Sequence, residues 1–291
     1  MNLIQSIIMG LIQGIAEFLP ISSSGHLAIG KNILGLNTEV DMLFDVMLHI
    51  GTLVAVFIAF WDDIKELIIE GFSMLRDLFV NLGIAISRFS SKEKKEYRKI
   101  LQTPYRRFVL MVIISTIPTG IIGILLDDII EQASKTVLVP GICLLITGVL
   151  LLIADNSKSG KITAKDITAK KAGIVGIAQG FATLPGISRS GTTITACLLC
   201  GFEKTFAVKY SFIMSIPAIM GAAVLELFKF DDKLISGELV VNYVVGTVVA
   251  GIVGYICIKT MLKVVKDKKF VGFAIYCFLI GLISIAYVIF M

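Results

Sequence analysis

Residues 10–25 read GLIQGIAEFLPISSSG, and residues 176–191 read GIAQGFATLPGISRSG. The two stretches align without a gap at an offset of 166 positions, and eight of the 16 aligned residues are identical. Each stretch lies in an apolar region that proline, glycine and serine interrupt in the middle. Because a half-helix of about 15 residues cannot cross a hydrocarbon core that needs about 20, we predict two re-entrant helical hairpins.

The composition of the whole chain is typical of a membrane protein. Of its 291 residues, 56% are hydrophobic and 17% are charged, and the mean hydropathy is +0.89. An average soluble domain has about 25% charged residues. These values exclude a disordered chain, a basic nucleic-acid-binding protein and an ordinary soluble enzyme. We therefore expect the lipid bilayer, and no nucleic acid, as a partner.

Six further apolar runs are long enough to cross a membrane as helices. Together with the hairpins they predict an all-α polytopic membrane protein with about six full transmembrane helices. The runs are 43–60, 108–126, 136–154, 206–228, 239–258 and 270–290.

Lysine and arginine are concentrated between these runs and predict the orientation of the chain. Three segments hold 18 of the 27 basic residues, and such segments are usually cytoplasmic. The mostly acidic segments are then outside, as are the N- and C-termini, and residues 61–87 are an amphipathic helix on the inner surface. The basic segments are 88–107, 155–171 and 259–269, and the acidic ones are 39–45, 127–135 and 226–238.

We interpret the repeat as an inverted-topology duplication within one membrane domain. Each hairpin is followed by three spans, and an odd number of spans inverts the second copy, so the hairpin tips should meet near the midplane. Two unrelated helix breaks are the simpler alternative. The first copy covers about 1–154, with its hairpin at 1–30 and a basic cytoplasmic loop at 61–107, and the second covers about 172–291, with its hairpin at 172–202.

The two copies differ in their polar residues, which suggests that each half has its own chemical role. Ionisable residues inside a membrane are costly, so they indicate a functional site, although two of them could form a purely structural ion pair. The first copy has a carboxylate, a hydroxyl and an imidazole where the second has a guanidinium and two threonines. The aligned pairs are Glu17 with Thr183, Ser23 with Arg189, and His26 with Thr192.

These residues suit the binding of a diphosphate. Gln13 and Glu17 share one helix face, where a carboxylate and an amide oxygen can hold a hard divalent cation. Half-helix N-termini rich in hydroxyl and N–H groups bind anions, and arginine binds phosphate oxygens bidentately. The candidate phosphate-binding residues are Ser22, Ser24, Gly25, Ser188, Ser190, Gly191, Thr192 and Thr193.

Three residues have candidate roles in catalysis or its support. Ser23 is a candidate nucleophile or phosphate ligand, and His26 is a candidate general acid or base. For His49, inside the run 43–60, we expect packing or a supporting role.

Residues 13–26 (QGIAEFLPISSSGH) and 184–193 (LPGISRSGTT) resemble the two signature motifs of the undecaprenyl-diphosphate phosphatase family, the bacitracin-resistance (BacA/UppP) type. The resemblance extends over essentially the whole chain. It implies a hydrolase of the bacterial plasma membrane that releases inorganic phosphate from undecaprenyl diphosphate. This reaction recycles the lipid carrier for peptidoglycan and other wall polymers, and the family confers bacitracin resistance.

The resemblance also implies the catalytic residues and a cofactor. Glu17, Ser23, His26 and Arg189 would be catalytic, and Gln13 and Glu17 would hold a divalent cation, Mg²⁺ or Ca²⁺. The first motif has Gln13 where a second glutamate is also permitted, which gives Glu17 more weight as a ligand. The resemblance leaves open whether Ser23, His26 or a water is the nucleophile.

The architecture alone also fits a transporter, because inverted repeats with broken helices are typical of secondary transporters. A lipid-phosphate flippase on the same fold is therefore the alternative function. Glu17 beside Ser23 and His26 favours the phosphatase, since a flippase needs no proton shuttle. The sequence leaves the lipid chain length, the preferred metal and a possible homodimer undecided.

Overall fold

The computed structural model describes residues 2–34, 41–90, 96–229, 237–266 and 270–290. The residues in these ranges form helices and connecting turns, with one isolated bridge between Ile162 and Phe202 and no strand. The helices of the described part are α1 Leu3–Phe18, α2 Ser23–Leu34, α3 Asp41–Ala59, α4 Trp61–Ser90, α5 Pro104–Leu125, α6 Asp127–Ser134, α7 Leu138–Asn156, α8 Ala169–Phe181, α9 Arg189–Leu199, α10 Lys204–Lys229, α11 Gly237–Lys266 and α12 Val271–Phe290.

The structure confirms that the chain is a polytopic all-α membrane protein. Each of the six apolar runs is a long helix, namely α3, α5, α7, α10, α11 and α12. Within the described residues, five of these helices are long and apolar enough to span a membrane, and a sixth span follows if α3 and α4 are taken together.

Two segments that were predicted as connections are mostly helical. The basic segment 259–269 continues helix α11 as far as Lys266. A helix of 30 residues is about 45 Å long, whereas the hydrocarbon core is about 30 Å thick, so this helix extends beyond the core. The acidic segment 127–135 contains the short helix α6.

The helix predicted at 61–87 is confirmed as α4, whereas its place on the inner membrane surface stays a prediction. The chain bends by 89° between α3 and α4, so α4 leaves the direction of the preceding span. Its inward face is acidic: Glu70 and Asp77 accept hydrogen bonds from Arg106 of α5 at 2.7 and 2.8 Å. Arg98 adds a second donor to Asp77 at 3.0 Å. These charged bonds fix α4 to the beginning of α5.

The first apolar stretch is broken into two short helices, as predicted. Helix α1 starts with a capping box between Asn2 and Gln5 and ends at Phe18, before Pro20, because proline removes a donor and restricts the preceding residue. With 16 residues it is about 24 Å long. The chain turns at Ser22, whose φ is +72°.

The second apolar stretch is broken in the same way. Helix α8 has 13 residues and α9 has 11, so neither is long enough to span the membrane alone. The turn between them contains Gly186 at a φ of +95°, a region that favours glycine. The Ser188 side chain then caps α9 by accepting a hydrogen bond from the Gly191 N–H.

Each broken helix packs closely on a long span through small residues. A Cβ on Gly10 of α1 would lie 2.5 Å from the Gly246 carbonyl oxygen of α11, and a Cβ on Gly176 of α8 would lie 2.2 Å from the Ser115 carbonyl oxygen of α5. Backbones this close are typical of helix pairs in membranes. Since Gly10 and Gly176 are aligned in the repeat, the matched contacts support the duplication, which stays a prediction together with its membrane orientation.

Candidate active site

The tips of the two hairpins touch. A Cβ on Gly25 would lie 2.7 Å from the Gly186 Cα, and a Cβ on Gly191 would lie 3.3 Å from the Pro20 Cβ. At the offset of 166, Gly25 aligns with Gly191 and Pro20 aligns with Gly186. The two contacts are therefore equivalent, because the repeat exchanges the residues of one for those of the other. They bring the end of α1 next to the beginning of α9.

Glu17 is the centre of the polar cluster at this contact. Its side chain is 5% exposed, and Oε1 accepts a hydrogen bond from Arg189 Nη2 of α9 in an ion pair. The other oxygen, Oε2, accepts hydrogen bonds from Ser23 Oγ at 2.5 Å and from Gln13 Nε2 at 3.2 Å. The structure thus brings three predicted residues, Gln13 of α1, Ser23 of α2 and Arg189 of α9, to the Glu17 carboxylate.

Such a buried pair indicates function more than stability. The desolvation of two charges offsets much of their attraction, so replacing a buried ion pair by apolar residues is often neutral or stabilising. Ionisable residues at membrane depth are correspondingly rare and mark functional sites. The contact between Glu17 and Arg189 joins the two halves of the protein where each contributes one charge.

Several buried polar atoms in this region have no hydrogen-bond partner among the described residues. They are Gln13 Oε1, Arg189 Nη1 and Thr192 Oγ1. Buried polar groups are nearly always hydrogen-bonded, so unpaired ones next to a functional cluster suggest a ligand. The two donors, a guanidinium N–H and a hydroxyl, suit an anion, and the amide oxygen suits a cation or a donor.

The serines of both motifs mainly shape the helix starts. Ser22 Oγ accepts a hydrogen bond from the Gly25 N–H at 3.3 Å, and Ser188 Oγ accepts one from the Gly191 N–H at 3.1 Å. In both copies the capping hydroxyl lies 3.4 Å from the hydroxyl two residues later, Ser24 or Ser190. These caps orient the first N–H groups of α2 and α9 towards the contact between the tips.

Thr193 is fully buried and joins two helices. Its hydroxyl lies 2.5 Å from Ser211 Oγ of α10 and 2.8 Å from the Arg189 carbonyl oxygen. We therefore assign Thr193 to holding α9 in place beneath the guanidinium, and not to direct contact with a ligand.

His26 points to a neighbour that the sequence did not indicate. Its Nδ1 lies 2.8 Å from the Ser22 carbonyl oxygen, and its Nε2 lies 2.9 Å from the hydroxyl of Tyr276 in α12. Because a carbonyl oxygen only accepts, Nδ1 carries the proton and neutral Nε2 accepts from the tyrosine. The two rings also stack, with centroids 5.5 Å apart and planes 10° apart.

Two residues of the site were missed or given too little weight. His49 of α3 lies with Nε2 3.9 Å from Glu17 Oε2, although we expected only packing or a supporting role. Its ionisable side chain in an apolar run was a usable signal. Nothing in the sequence distinguishes Tyr276, since its contact with His26 spans 250 positions.

The site is not a classical metal centre of clustered acids and histidines. In the described part of the chain, no group of three or more His, Cys, Asp or Glu side chains could hold a metal ion. Glu17 and Gln13 still offer two oxygen ligands one helical turn apart, once a half-turn of the Gln13 amide brings Oε1 to the carboxylate in place of Nε2. Magnesium is commonly held by one or two carboxylates together with substrate phosphates, so the donor set fits a cation that binds with a phosphate ligand.

Comparisons with known proteins identify the family of the chain. The family model described as "Bacitracin resistance protein BacA" matches residues 6–283. The chain is 42% identical to the undecaprenyl-diphosphatase of Methanosphaera stadtmanae over 285 residues, which is 98% of each chain. It is 38% identical to that of Halothermothrix orenii over 288 residues, with 98% of each chain covered. These matches show that the chain belongs to the family of the bacitracin resistance protein BacA.

Proposed function

We propose that this chain is an undecaprenyl-diphosphate phosphatase, which releases inorganic phosphate and returns the lipid carrier as undecaprenyl phosphate. The observation that carries the proposal is the hydroxyl of Ser23 bonded to the buried carboxylate of Glu17, which is in turn paired with Arg189. This arrangement places a nucleophile, an acid–base group and an anion-binding group within one cluster.

The diphosphate binds between the hairpin tips. Arg189 Nη1 and Thr192 Oγ1 are its donors, since both are buried and without a partner among the described residues. The capped starts of α2 and α9 add backbone N–H groups and the positive ends of two helix dipoles. Phosphoryl transfer depends chiefly on such positioning and charge stabilisation, which this cluster supplies.

Glu17 activates the attacking group. The Ser23 hydroxyl donates to Glu17 Oε2 at 2.5 Å, so this carboxylate is placed to take its proton as the oxygen attacks the terminal phosphorus. A water held by Ser23 and Glu17 is the second candidate nucleophile. In both cases the bond between the terminal phosphorus and the bridging oxygen breaks, undecaprenyl phosphate leaves, and Arg189 stabilises the charge that develops. Attack by Ser23 forms a phosphoserine, which a water then hydrolyses, so that inorganic phosphate is released and the Ser23 hydroxyl is restored.

His26 is the second acid–base group of the site, besides Glu17. Its proton lies on Nδ1 towards the Ser22 carbonyl oxygen, so Nε2 is the atom that exchanges protons. The Tyr276 hydroxyl occupies the lone pair of Nε2 at 2.9 Å. His26 thereby assists proton transfer to or from the phosphate through this hydroxyl, which would relay the proton.

A divalent cation, Mg²⁺ or Ca²⁺, belongs to this site as a cofactor. Glu17 and Gln13 would hold it, because the Gln13 Oε1 is buried and has no partner in the described chain. When bound, it would neutralise charge on the phosphate oxygens and polarise the phosphoryl group.

The isoprenoid tail lies along the apolar outer faces of the spans. The basic segments are cytoplasmic and both termini are outside, as the charge distribution predicts, and the enzyme resides in a bacterial plasma membrane. The diphosphate then arrives from the outer side. A homodimer is compatible with this arrangement, although no residue of the site requires one.

Phosphate release from undecaprenyl diphosphate by the purified protein in detergent tests this function. We expect release with Mg²⁺ or Ca²⁺, its loss in EDTA, and a fall of at least about 10²-fold in kcat for Glu17→Gln. The matched control is Glu131→Gln, an exposed glutamate of α6. Full activity of Glu17→Gln would refute the assigned site.

The same assay separates the phosphatase from a lipid-phosphate flippase. Ser23→Ala, compared with Ser24→Ala, tests whether the residue next to Glu17 takes part in the chemistry, and a trapped phosphoserine would identify Ser23 as the nucleophile. Folded protein that releases no phosphate from any isoprenyl diphosphate would instead favour the flippase, and lipid flipping in proteoliposomes would then be measured.

A further inference from the structure

His49 and Glu17 face each other at a distance that no hydrogen bond explains. His49 Nε2 lies 3.9 Å from Glu17 Oε2, whereas hydrogen bonds between nitrogen and oxygen are about 2.7–3.2 Å long. The His49 side chain is 30% exposed and the Glu17 side chain 5%. The imidazole therefore lies at the accessible side of the carboxylate, and the gap between the two atoms requires an explanation.

The backbone fixes which nitrogen of His49 carries the proton. Nδ1 lies 2.8 Å from the Asp45 carbonyl oxygen, one turn earlier in α3. Because that oxygen only accepts, Nδ1 donates, and the neutral ring presents a bare lone pair at Nε2. Histidine ligands of metals usually have this arrangement, with the other ring N–H donated to a carbonyl or carboxylate.

Gln13 supplies a third atom to the same place. Its Nε2 donates to Glu17 Oε2 at 3.2 Å, while its Oε1 is buried without a partner among the described residues. A half-turn of the amide exchanges the two atoms, which then places an oxygen beside the carboxylate. Two oxygens so close repel each other unless a cation lies between them.

We propose that His49 Nε2 is a third protein ligand, with Glu17 and Gln13, of the divalent cation at this site. The inference rests on the proposed function only in taking the cation to be that of the phosphatase. Bonds from Mg²⁺ to its ligands are about 2.1 Å long and those from Ca²⁺ about 2.3–2.6 Å, so two ligand atoms of one ion can be at least about 4.2 Å apart. The observed 3.9 Å lies within that limit.

An imidazole in the ligand set changes which ion is preferred. Calcium and magnesium are bound almost entirely by oxygen, whereas the first-row transition ions also accept imidazole, with an affinity that rises from Mn²⁺ towards Cu²⁺. A site with one carboxylate, one amide oxygen and one imidazole therefore favours Mn²⁺ over Ca²⁺. Replacing His49 by Gln exchanges the nitrogen for an oxygen, and we expect it to weaken Mn²⁺ binding by at least about tenfold while Ca²⁺ binding changes less.

Pulsed EPR of Mn²⁺ bound to the purified full-length protein, without substrate, tests the ligand directly. A coordinated imidazole nitrogen modulates the electron spin echo, and the chain has only two histidines, His26 and His49. We expect the nitrogen modulation in the wild type and in His26→Gln, and its loss in His49→Gln. Thermal unfolding of each variant in detergent establishes that it is folded.

Each other outcome overturns the inference. Bound Mn²⁺ without nitrogen modulation in the wild type, or modulation that persists in His49→Gln, means that His49 is not a ligand. The same holds if no Mn²⁺ binds at millimolar concentration. Phosphate release is measured separately: metal-dependent release by protein that lacks the nitrogen signal refutes only the role of His49, whereas absent release with the signal present refutes only the phosphatase.

Discussion

Glu17 and Arg189 form a buried ion pair across 172 positions of the chain, at the contact between the two hairpin tips. Glu17 ends the first half of one hairpin, and Arg189 begins the second half of the other. A change at either residue therefore affects both the joint between the two halves of the protein and the binding of phosphate.

The pair predicts a separation of stability from activity. Arg189→Met leaves the Glu17 charge buried and uncompensated, which we expect to cost about 3–5 kcal/mol of folding free energy. Adding Glu17→Gln removes that charge, so the double variant should be more stable than Arg189→Met alone, yet inactive. Thermal unfolding and phosphate release in detergent measure the two effects. A double variant destabilised by the sum of the two single changes would contradict the pairing.

Tyr276 predicts a functional link between α12 and His26. Tyr276→Phe keeps the stacked ring and removes the hydroxyl that Nε2 of His26 accepts from. We expect kcat to fall about tenfold or more with little change in KM, since general acid–base assistance contributes about 10²–10⁴-fold.

The control for Tyr276 is Tyr287→Phe on the same helix, which should behave as the wild type. In a His26→Ala background, Tyr276→Phe should have no further effect, because the hydroxyl acts through the imidazole. An additional loss in that background would show that Tyr276 acts independently of His26.

The contact between the tips predicts that Gly186 tolerates no side chain. A Cβ there would lie 2.3 Å from the Pro140 carbonyl oxygen, and its φ is +95°. We expect Gly186→Ala to destabilise the protein by about 1–3 kcal/mol and to abolish phosphate release by displacing Arg189. Gly272→Ala is the matched control, since a Cβ there meets nothing within 4 Å. Thermal unfolding that is equal for both variants would argue against the close contact.

The acidic face of α4 predicts a loss of stability in acid. Hydrogen bonds from Arg106 hold the pKa of Glu70 below its ordinary value of 4.5, and those from Arg106 and Arg98 hold the pKa of Asp77 below 3.8. A carboxyl whose pKa is lower in the folded than in the unfolded protein stabilises the fold at every pH above its unfolded-state pKa. This stabilisation is lost as the pH falls through the folded-state pKa. Stability should therefore decline from about pH 5 downwards.

Thermal unfolding in detergent across that range checks this prediction. Asp77→Asn should be less stable than the wild type at neutral pH and should lose less stability on acidification. The control, Asp62→Asn, changes an exposed residue of the same helix and should follow the wild-type pH dependence. Identical acid profiles for Asp77→Asn and the wild type would mean that the Arg106 network does not hold α4.

The sequence predicted the helices well because the signals for them are local. An apolar run of about 20 residues must be a helix in a bilayer, since every backbone group has to be hydrogen-bonded within its own segment. Pro20 and Gly186 mark the two breaks for equally local reasons. The extension of α11 to Lys266 was missed because a basic segment that leaves the bilayer can continue a helix or end it.

The sequence by itself determined the membrane class, the two broken helices, the repeated motif and the identity of Glu17, Ser23 and Arg189 as the polar residues of interest. These conclusions follow from the composition, from the length of the apolar runs and from the alignment of residues 10–25 with 176–191. Only the tertiary structure decided which of these residues meet. The proximity of His49 to Glu17, the bond from Tyr276 to His26 and the binding of Thr193 to α10 depend on how distant helices pack, and no local pattern encodes those contacts.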